Sequence, residues 1–337
     1  MKFLIKLVLL IFFVGLILTA VAFFGGVSLG NIGDYFIDDE DYGDPIEFVM
    51  SDPIDTLDVD LDNRNIVVTI TTGDDIIVTY HEHEKDTWSL SETGGTFTIT
   101  QETKPVFFNW FNFKMASYEV MTVYIEIPED LVLDYSLSSD VGDIVYIEAP
   151  DLTHDFYANS NTGNVTIENA EIDQLIVRVN TGSIDLSDLV INGDVDAKTD
   201  TGTIEITNLS TDELLLDTDT GRIELNQVSA NQVDAQSDTG RIEMNDSTIL
   251  GLVELSTSTG NVTVTDSVAT GYDLSSSTGS VRFTSATHLD LRYDLDTSVG
   301  NILVNDDDQG NKHSTSTGTI LLKVRVSTGN ITVSVQD

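Results

Sequence analysis

Apolar and polar residues alternate with a period of two along most of this chain, and the alternating segment itself returns about every 20 residues. The clearest copies are residues 200–206, 219–225 and 238–244, each of which begins with Asp-Thr-Gly. Alternation places one set of side chains inside and the other in solvent, which is typical of strands. A fixed period near 20 is typical of a solenoid. The glycines of the successive copies are Gly142, Gly163, Gly182, Gly202, Gly221, Gly240, Gly260, Gly279, Gly300, Gly318 and Gly329.

Positions counted from each glycine predict which side chains form the core. The residue two after the glycine is Ile or Val in every copy, and the residues four after and five before are apolar in most. One repeat cannot bury these rows alone, so the copies must stack into a continuous core. Further apolar residues near Leu189, Leu209 and Val228 predict three short strands per turn. The sequence therefore predicts an all-β parallel β-solenoid of about 20 residues per turn, with each glycine at a corner.

The first 30 residues differ from the rest in carrying a long uncharged run. No charged side chain occurs from Leu7 to Val27, which is long enough for a helix to cross a bilayer of ~30 Å. Lys2 and Lys6 precede the run, which predicts a cytoplasmic N-terminus and an extracytoplasmic remainder. A cleaved signal peptide is the alternative, because residues 20–22 have a small-x-small pattern. We expect a single-pass anchor in the cell membrane, since the apolar run continues beyond that pattern.

Four parts follow from these patterns. Residues 1–30 form the predicted transmembrane anchor, and residues 31–53, which are rich in Asp and contain no base, form an acidic linker. Residues 54–135 alternate as strands but lack the strict phrase, and are predicted to be a β-rich N-terminal part or cap of the solenoid. Residues 136–337 form the repeat β-solenoid.

Charge and composition exclude several classes of protein. The chain has 57 acidic and 15 basic residues, a formal net charge of −42, which disfavours nucleic-acid binding. Cysteine is absent, so disulfides, thiolate metal sites and cysteine nucleophiles are excluded. We expect no cofactor, apart from weak Ca²⁺ binding as a possibility.

Acidic and histidine residues supply only weak candidates for metal ligands. Asp200, Asp219 and Asp238 occupy equivalent corners, where they form either simple turn residues and a surface ion network or a loose Ca²⁺ site. His81 and His83 lie on one face of a strand, but no third ligand is identifiable. Asp-Thr-Gly also occurs in aspartic proteases, whose two carboxylates must lie ~3 Å apart; stacked rungs hold these carboxylates ~4.8 Å apart.

One loop concentrates aromatic side chains between two lysines, Lys104 and Lys114. Such a loop can plug the end of the solenoid core, which is the interpretation we favour, or contact a membrane interface or a partner. Its residues are Phe107, Phe108, Trp110, Phe111 and Phe113.

The order of these features resembles a known family. An N-terminal anchor is followed by a strand phrase at 54–59, a strand ending in Pro at 123–128, and serial Thr-Gly-x-Ile phrases. This arrangement is similar to the bacterial "putative adhesin" β-strand-repeat family, which includes LiaG-type membrane proteins of Gram-positive bacteria. The resemblance spans about residues 54–337. It implies a β-solenoid outside the cytoplasm with an adhesive or envelope-stress role, and it supplies no catalytic residues.

We therefore expect a non-catalytic, membrane-anchored, extracytoplasmic scaffold that acts as an adhesin or contacts the cell envelope. Its partners would be the membrane, through the N-terminal helix, and an envelope protein or surface ligand that the sequence does not identify. An accessory protein of an envelope-stress sensing system is the first alternative. An enzyme acting on envelope polymers is the second, and the lack of repeating aromatic residues beside paired carboxylates disfavours it.

Overall fold

The fold is given by a computed structural model, which describes residues 39–50, 53–104, 116–147 and 153–336. Within these ranges the chain is all-β apart from a 3-10 turn at Asp39–Asp41, as predicted. None of the described residues belongs to a helix long and apolar enough to cross a membrane. The predicted anchor, residues 1–30, lies outside the described residues.

Strands cover most of the described chain. In the N-terminal part they are β1 (Ile46–Met50), β2 (Thr56–Leu61), β3 (Asn65–Thr71), β4 (Ile76–Tyr80), β5 (Asp86–Thr93), β6 (Thr96–Thr103), β7 (Thr122–Pro128), β8 (Asp134–Val141) and β9 (Ile144–Ile147). In the middle they are β10 (Thr153–Thr162), β11 (Val165–Thr181), β12 (Ile184–Ile191), β13 (Val195–Thr201), β14 (Ile204–Thr220), β15 (Ile223–Thr239), β16 (Ile242–Asn245), β17 (Thr248–Ile249), β18 (Leu252–Thr259) and β19 (Val262–Thr265). The last are β20 (Gly271–Thr278), β21 (Val281–Ser285), β22 (Leu291–Val299), β23 (Ile302–Val304), β24 (Asp307–Asp308), β25 (Lys312–Ser314), β26 (Ile320–Thr328) and β27 (Ile331–Val335).

Parallel pairing in register builds the stack of rungs. Ile184 pairs with Ile204, Ile204 with Ile223, and Ile223 with Ile242, so each rung advances the chain by 19 or 20 residues. The predicted inward residues are buried, apart from the half-buried Val304 and Ile320, and those on the alternate positions face solvent. In the middle of the stack a single strand, such as β14 or β15, runs around the whole rung, and its burial pattern breaks at two points, so the rung has three faces. Face A is the part that follows the corner glycine, face B a shorter part after it, and face C the part that leads to the next corner.

The corner glycines are required by the close approach of stacked backbones. A Cβ atom built on Gly221 would lie 1.6 Å from the carbonyl oxygen of Gly202, and one on Gly240 would lie 1.5 Å from that of Gly221. Real Cβ atoms do not approach backbone oxygens this closely, so a larger residue would force adjacent rungs apart. The chain turns at these glycines as the sequence predicted. At these two positions, however, glycine is required because the backbones of adjacent rungs are in contact.

A second corner, between faces A and B, was not predicted. Six residues, each six positions after a corner glycine, have φ values between 48° and 56°. Asn and Asp tolerate this left-handed conformation better than other non-glycine residues. The column consists of Asn169, Asp188, Asn208, Gln227, Asp246 and Asp266. Five of the six are Asn or Asp, which is the signal that the sequence offered.

The C-terminal rungs do not stack in chain order. Strand β26 lies between β20 and β22, and β27 lies between β21 and β23. The rung of Gly329, the last in the chain, is therefore inserted between those of Gly279 and Gly300. Gly318 was predicted to be a corner of the same column, and this is wrong. Its ideal Cβ meets Leu291 and Arg292 instead of another corner glycine.

The N-terminal end has the same kind of insertion. Strand β2 lies between β6 and β8, and β3 lies between β7 and β9, so the first rung of the chain is the second in the stack. Arg64 takes the place of the corner glycine there, since a Cβ on Gly142 would meet the Arg64 carbonyl. The outer edge is covered by antiparallel strands: β4 on β7, β1 on β4, and β5 on β6.

The acidic linker predicted at 31–53 is partly wrong. Residues 46–50 form strand β1, which pairs along its whole length with β4. Phe48 stacks on Phe97 of the core at a centroid distance of 5.6 Å, and Met50 is buried. Ile46, Phe48 and Val49 remain 36–48% exposed, so the segment is held mainly by its pairing with β4 and by these two contacts.

Candidate contact surface

A column of buried hydroxyl groups lines the inner side of the glycine corner. Three residues before the glycine, Ser or Thr donates to the glycine carbonyl of the adjacent rung, for example Thr199 Oγ1 to Gly182 O at 2.9 Å. The other members are Ser139, which donates to the carbonyl of Arg64, and Ser160, Thr218, Ser237, Thr257, Ser276 and Thr297. This column holds the corner in register, and sequence reasoning missed it.

The outer side of the same corner is a ridge of exposed polar residues, which we call the corner ridge. It consists of the residues one and two before each corner glycine. Those one before are stacked in register and exposed, and all but the two terminal ones are threonine. They are Val141, Thr162, Thr181, Thr201, Thr220, Thr239, Thr259, Thr278, Thr328 and Val299. Adjacent strands place these side chains ~4.8 Å apart along the rod.

The residues two before the glycine form the second column of the corner ridge. Asn161 donates from Nδ2 to Asp140 Oδ1 at 2.6 Å, and Asn180 donates to Asn161 Oδ1 at 3.1 Å. Asp200, Asp219 and Asp238 continue the column and are exposed. Nowhere in the described ranges do three or more His, Asp or Glu side chains come together in a way that could hold a metal ion. Weak Ca²⁺ binding by the three aspartates stays a prediction.

Face C carries ion pairs between rungs. Lys198 Nζ lies 2.8 Å from Asp217 Oδ2, and Arg178 pairs with Asp196. The hydrogen bond from Lys198 to Asp217 raises the pKa of Lys198, and the charges of Asp217, Asp219 and Asp200 add to the effect. Because these pairs are 32–47% exposed, each contributes little to stability.

Residues 54–334 match the family described as Toastrack DUF4097. The chain belongs to this family. The family resemblance inferred from the serial phrases over about residues 54–337 is confirmed by this match.

Three solved structures are similar to this Toastrack protein. A "putative adhesin" from Bacteroides fragilis is 14% identical with a TM-score of 0.42, covering 89% of this chain and 100% of its own. A "putative lipid binding protein" from Parabacteroides distasonis is 12% identical with a TM-score of 0.39, covering 89% and 99%. A "putative cell adhesion protein" from Clostridium sporogenes is 9% identical with a TM-score of 0.18, covering 87% and 100%. No curated protein matches the chain significantly.

The histidine pair of this Toastrack protein is engaged by the backbone of the N-terminal cap. His81 Nδ1 donates to the Gly43 carbonyl at 2.8 Å, so this nitrogen carries a proton. His83 Nδ1 accepts from the amide of Lys85 at 3.2 Å, and its ring lies against that of Tyr42. The pair therefore fixes a turn, and a metal could reach only the remaining Nε2 atoms.

A buried polar cluster closes the N-terminal end of the Toastrack fold. Arg64 forms a salt bridge with Asp86, and the two side chains are 1% and 2% exposed. Gln101 Nε2 donates to Asp86 Oδ1 at 3.1 Å, and the Arg64 guanidinium lies 5.1 Å from the Tyr42 ring. Tyr80 and Trp88 pack beside this cluster, 4.2 Å apart. The predicted aromatic loop, Phe107, Phe108, Trp110, Phe111 and Phe113, lies outside the described residues.

A depression on face C near the N-terminal end exposes an aromatic floor. Tyr157 is 39% exposed there, with Asp134 and Asp155 at the rim. Beneath it, the Tyr135 and Tyr146 hydroxyls are buried without a hydrogen-bond partner of ordinary geometry. Burial raises the pKa of Tyr135 to about 12, so the phenol is protonated at neutral pH.

Proposed function

We propose that this Toastrack protein is a non-catalytic scaffold, anchored in the membrane by residues 1–30, whose rod contacts a ligand of the cell envelope or of another surface. The observation that carries the proposal is the corner ridge, a row of exposed hydroxyl, amide and carboxylate groups that repeats from rung to rung. A repeating surface suits a ligand with repeating polar groups, because each rung adds one equivalent contact.

The ridge can be tested with a variant and a matched control of equal charge. The ridge variant replaces Thr201, Thr220 and Thr239 by Arg. The control replaces Ser210, Ser229 and Thr248 by Arg. These three residues lie on face B of the same rungs and are also exposed. Binding of each rod to isolated envelope fragments is measured by co-sedimentation.

We expect the ridge variant to bind about tenfold more weakly or worse, equivalent to ~1.4 kcal/mol, while the control binds like the natural protein. Equal losses in both variants would mean that net charge and not the ridge governs binding. Recovery of a single membrane protein instead of envelope polymer would favour an accessory function in envelope-stress sensing. Release of soluble products from the polymer would favour an enzyme.

Localisation needs a separate experiment. We propose that the full chain stays in the membrane fraction and that protease added outside intact cells removes the rod. A mature protein found in the medium and beginning at Phe23 would instead identify a cleaved signal peptide.

A further inference from the structure

The inserted C-terminal rung occupies a slot between two strands that belong to earlier parts of the chain. Strand β26 pairs over its length with β20 on one side and with β22 on the other. Strand β27 fills the equivalent place between β21 and β23 on face A. The slot is thus complete before the strand that fills it has been reached in the sequence.

Backbone and core contacts to the inserted rung are formed on both of its sides. The amide of Gly279 donates to the Thr328 carbonyl, and the amide of Gly329 donates to the Val299 carbonyl, both at 2.9 Å. Thr297 Oγ1 donates to the Gly329 carbonyl at 2.8 Å. The inward side chains of this rung are fully buried or nearly so: Leu322, Val324, Val326, Ile331 and Val333.

Charge distinguishes this strand from the rungs beside it. Outward positions of β26 carry Lys323 and Arg325, whereas the cross-strand neighbours of Lys323 are Asp273 on one side and Asp294 on the other. Lys323 Nζ lies 2.5 Å from Asp273 Oδ2, and Arg325 lies 2.5 Å from Asp294 Oδ2. The inserted strand thus joins both walls of the slot by ion pairs.

The same charges oppose an empty slot that closes on itself. If β20 paired directly with β22 in this register, Asp273 would lie opposite Asp294, and like charges directly opposite one another destabilise a sheet. A strand with acidic outward residues would meet the same repulsion. The slot therefore selects a strand that alternates apolar and basic residues.

We propose that this slot is a strand-acceptor site and that the C-terminal rung of a second copy of this chain can fill it, giving a dimer joined by exchange of residues 319–336. The donor strands β26 and β27 follow in sequence all of the strands that form the slot, so the walls of the slot contain no part of the donor. Exchange replaces each cis contact by an identical contact in trans and needs no new interface. The inference concerns assembly and does not depend on which ligand the rod binds.

Charge reversal in two complementary variants tests the proposal on the full chain. The strand variant carries Lys323→Asp and Arg325→Asp, so its acidic strand faces its own acidic slot. The slot variant carries Asp273→Lys and Asp294→Lys, so its basic strand faces a basic slot. Only exchange between the two variants gives matched charges in both slots. A chain with all four substitutions is the control, because it is matched in cis.

The two variants are unfolded, mixed in equal amounts and refolded, with an affinity tag on one of them. We expect a species of twice the single-chain mass that contains both variants, with a melting temperature close to that of the four-substitution control. Each variant refolded alone should melt lower and form less dimer. Tagged and untagged natural protein refolded together should give a mixed dimer whose fraction rises with concentration.

Three results would overturn the proposal. The first is a refolded mixture that contains only single chains, each melting as it does alone. The second is the same outcome for the milder pair Arg325→Asp and Asp294→Arg, used if the double variants aggregate. Aggregation of both pairs alone and in mixture also counts against exchange, since matched slots would then have failed to rescue folding. None of these results bears on binding by the corner ridge.

Discussion

Replacing Thr199 by Val tests the hydroxyl column, because this change removes one hydrogen bond and little else. The Thr199 side chain is fully buried, and its Oγ1 lies 2.9 Å from the Gly182 carbonyl. Val has nearly the same shape, so packing is retained while the carbonyl loses its donor. A typical hydrogen bond contributes ~1 kcal/mol, and a buried acceptor left unsatisfied costs ~1–3 kcal/mol. Because Gly182 is only half-buried, we expect a loss of about 1–2 kcal/mol in the free energy of unfolding.

One rung has Val in place of Ser or Thr at this position, so the reverse substitution can also be tested. Val179 occupies the same position of the column in the rung of Gly182, and its side chain is 2% exposed. Val179 pairs in register with Thr199, so it faces the Gly163 carbonyl as Thr199 faces the Gly182 carbonyl. Val179→Thr would supply a donor there, so we expect no loss of stability or a gain of up to ~1 kcal/mol. Thr201→Val on the exposed ridge is the control, and its effect should stay within about 0.5 kcal/mol.

Equilibrium urea unfolding of the three variants measures these differences, provided that the denaturant slope is unchanged. A loss of equal size for Thr199→Val and Val179→Thr would refute the reasoning, because it would mean that the column responds to packing alone. A loss below ~0.3 kcal/mol for Thr199→Val would mean that water replaces the hydroxyl at this corner.

Four further predictions follow from the stack. Ile223→Asp should lower the free energy of unfolding by at least about 4 kcal/mol because it buries an unpaired charge, whereas Glu224→Ala should change it by ~0.5 kcal/mol or less. Thermal melts would compare the two variants, and equal losses would mean that the inward and outward columns are misassigned. Gly221→Ala should lower the free energy of unfolding by at least ~3 kcal/mol, because its Cβ would lie 1.6 Å from a carbonyl oxygen. A melting temperature equal to that of the natural protein would contradict this. Partial desolvation, followed by the neighbouring carboxylates, raises the pKa of Asp60, although the residue is exposed. A carboxyl group whose pKa is raised by folding destabilises the folded state at pH values above that pKa, and the penalty disappears as the pH falls through it. Asp60→Asn should therefore stabilise the protein at neutral pH, and this gain should vanish in acid. Millimolar Ca²⁺ should raise the melting temperature slightly at most, and a large rise abolished by Asp219→Asn would make the exposed column a metal site.

The rung itself was readable from the sequence because every local signal agreed. Ile204, Ile223 and Ile242 recur at 19-residue spacing beside a glycine, and a one-residue slip would turn them to solvent. The hydroxyl column was equally present in the sequence, at Thr199, Thr218 and their equivalents. It was missed because Ser and Thr in a polar phrase are expected to face water, and their burial follows only from the partner on the next rung.

Stacking order could not be read in the same way. The phrases at Gly318 and Gly329 are each followed two residues later by Ile, and nothing local says which of the two lies in the corner column. The choice depends on which strand edge remains free after the preceding rungs have formed. Only the basic pair Lys323 and Arg325 gave a signal, and its meaning depends on the acidic walls that the fold places on either side.

Insertion of a terminal rung at each end has a physical consequence for the whole rod. A parallel stack ends in strands whose unpaired amides and carbonyls can template pairing with other chains, and terminal segments fray unless they are tied down. Here β2 and β26 are paired on both edges, while the outermost rungs are covered by antiparallel strands such as β5 and β25. Antiparallel strands thus take up part of the outermost edge at each end. The same topology places the inserted C-terminal rung after all the strands of its slot in the sequence, and that rung has the charge pattern that its slot selects.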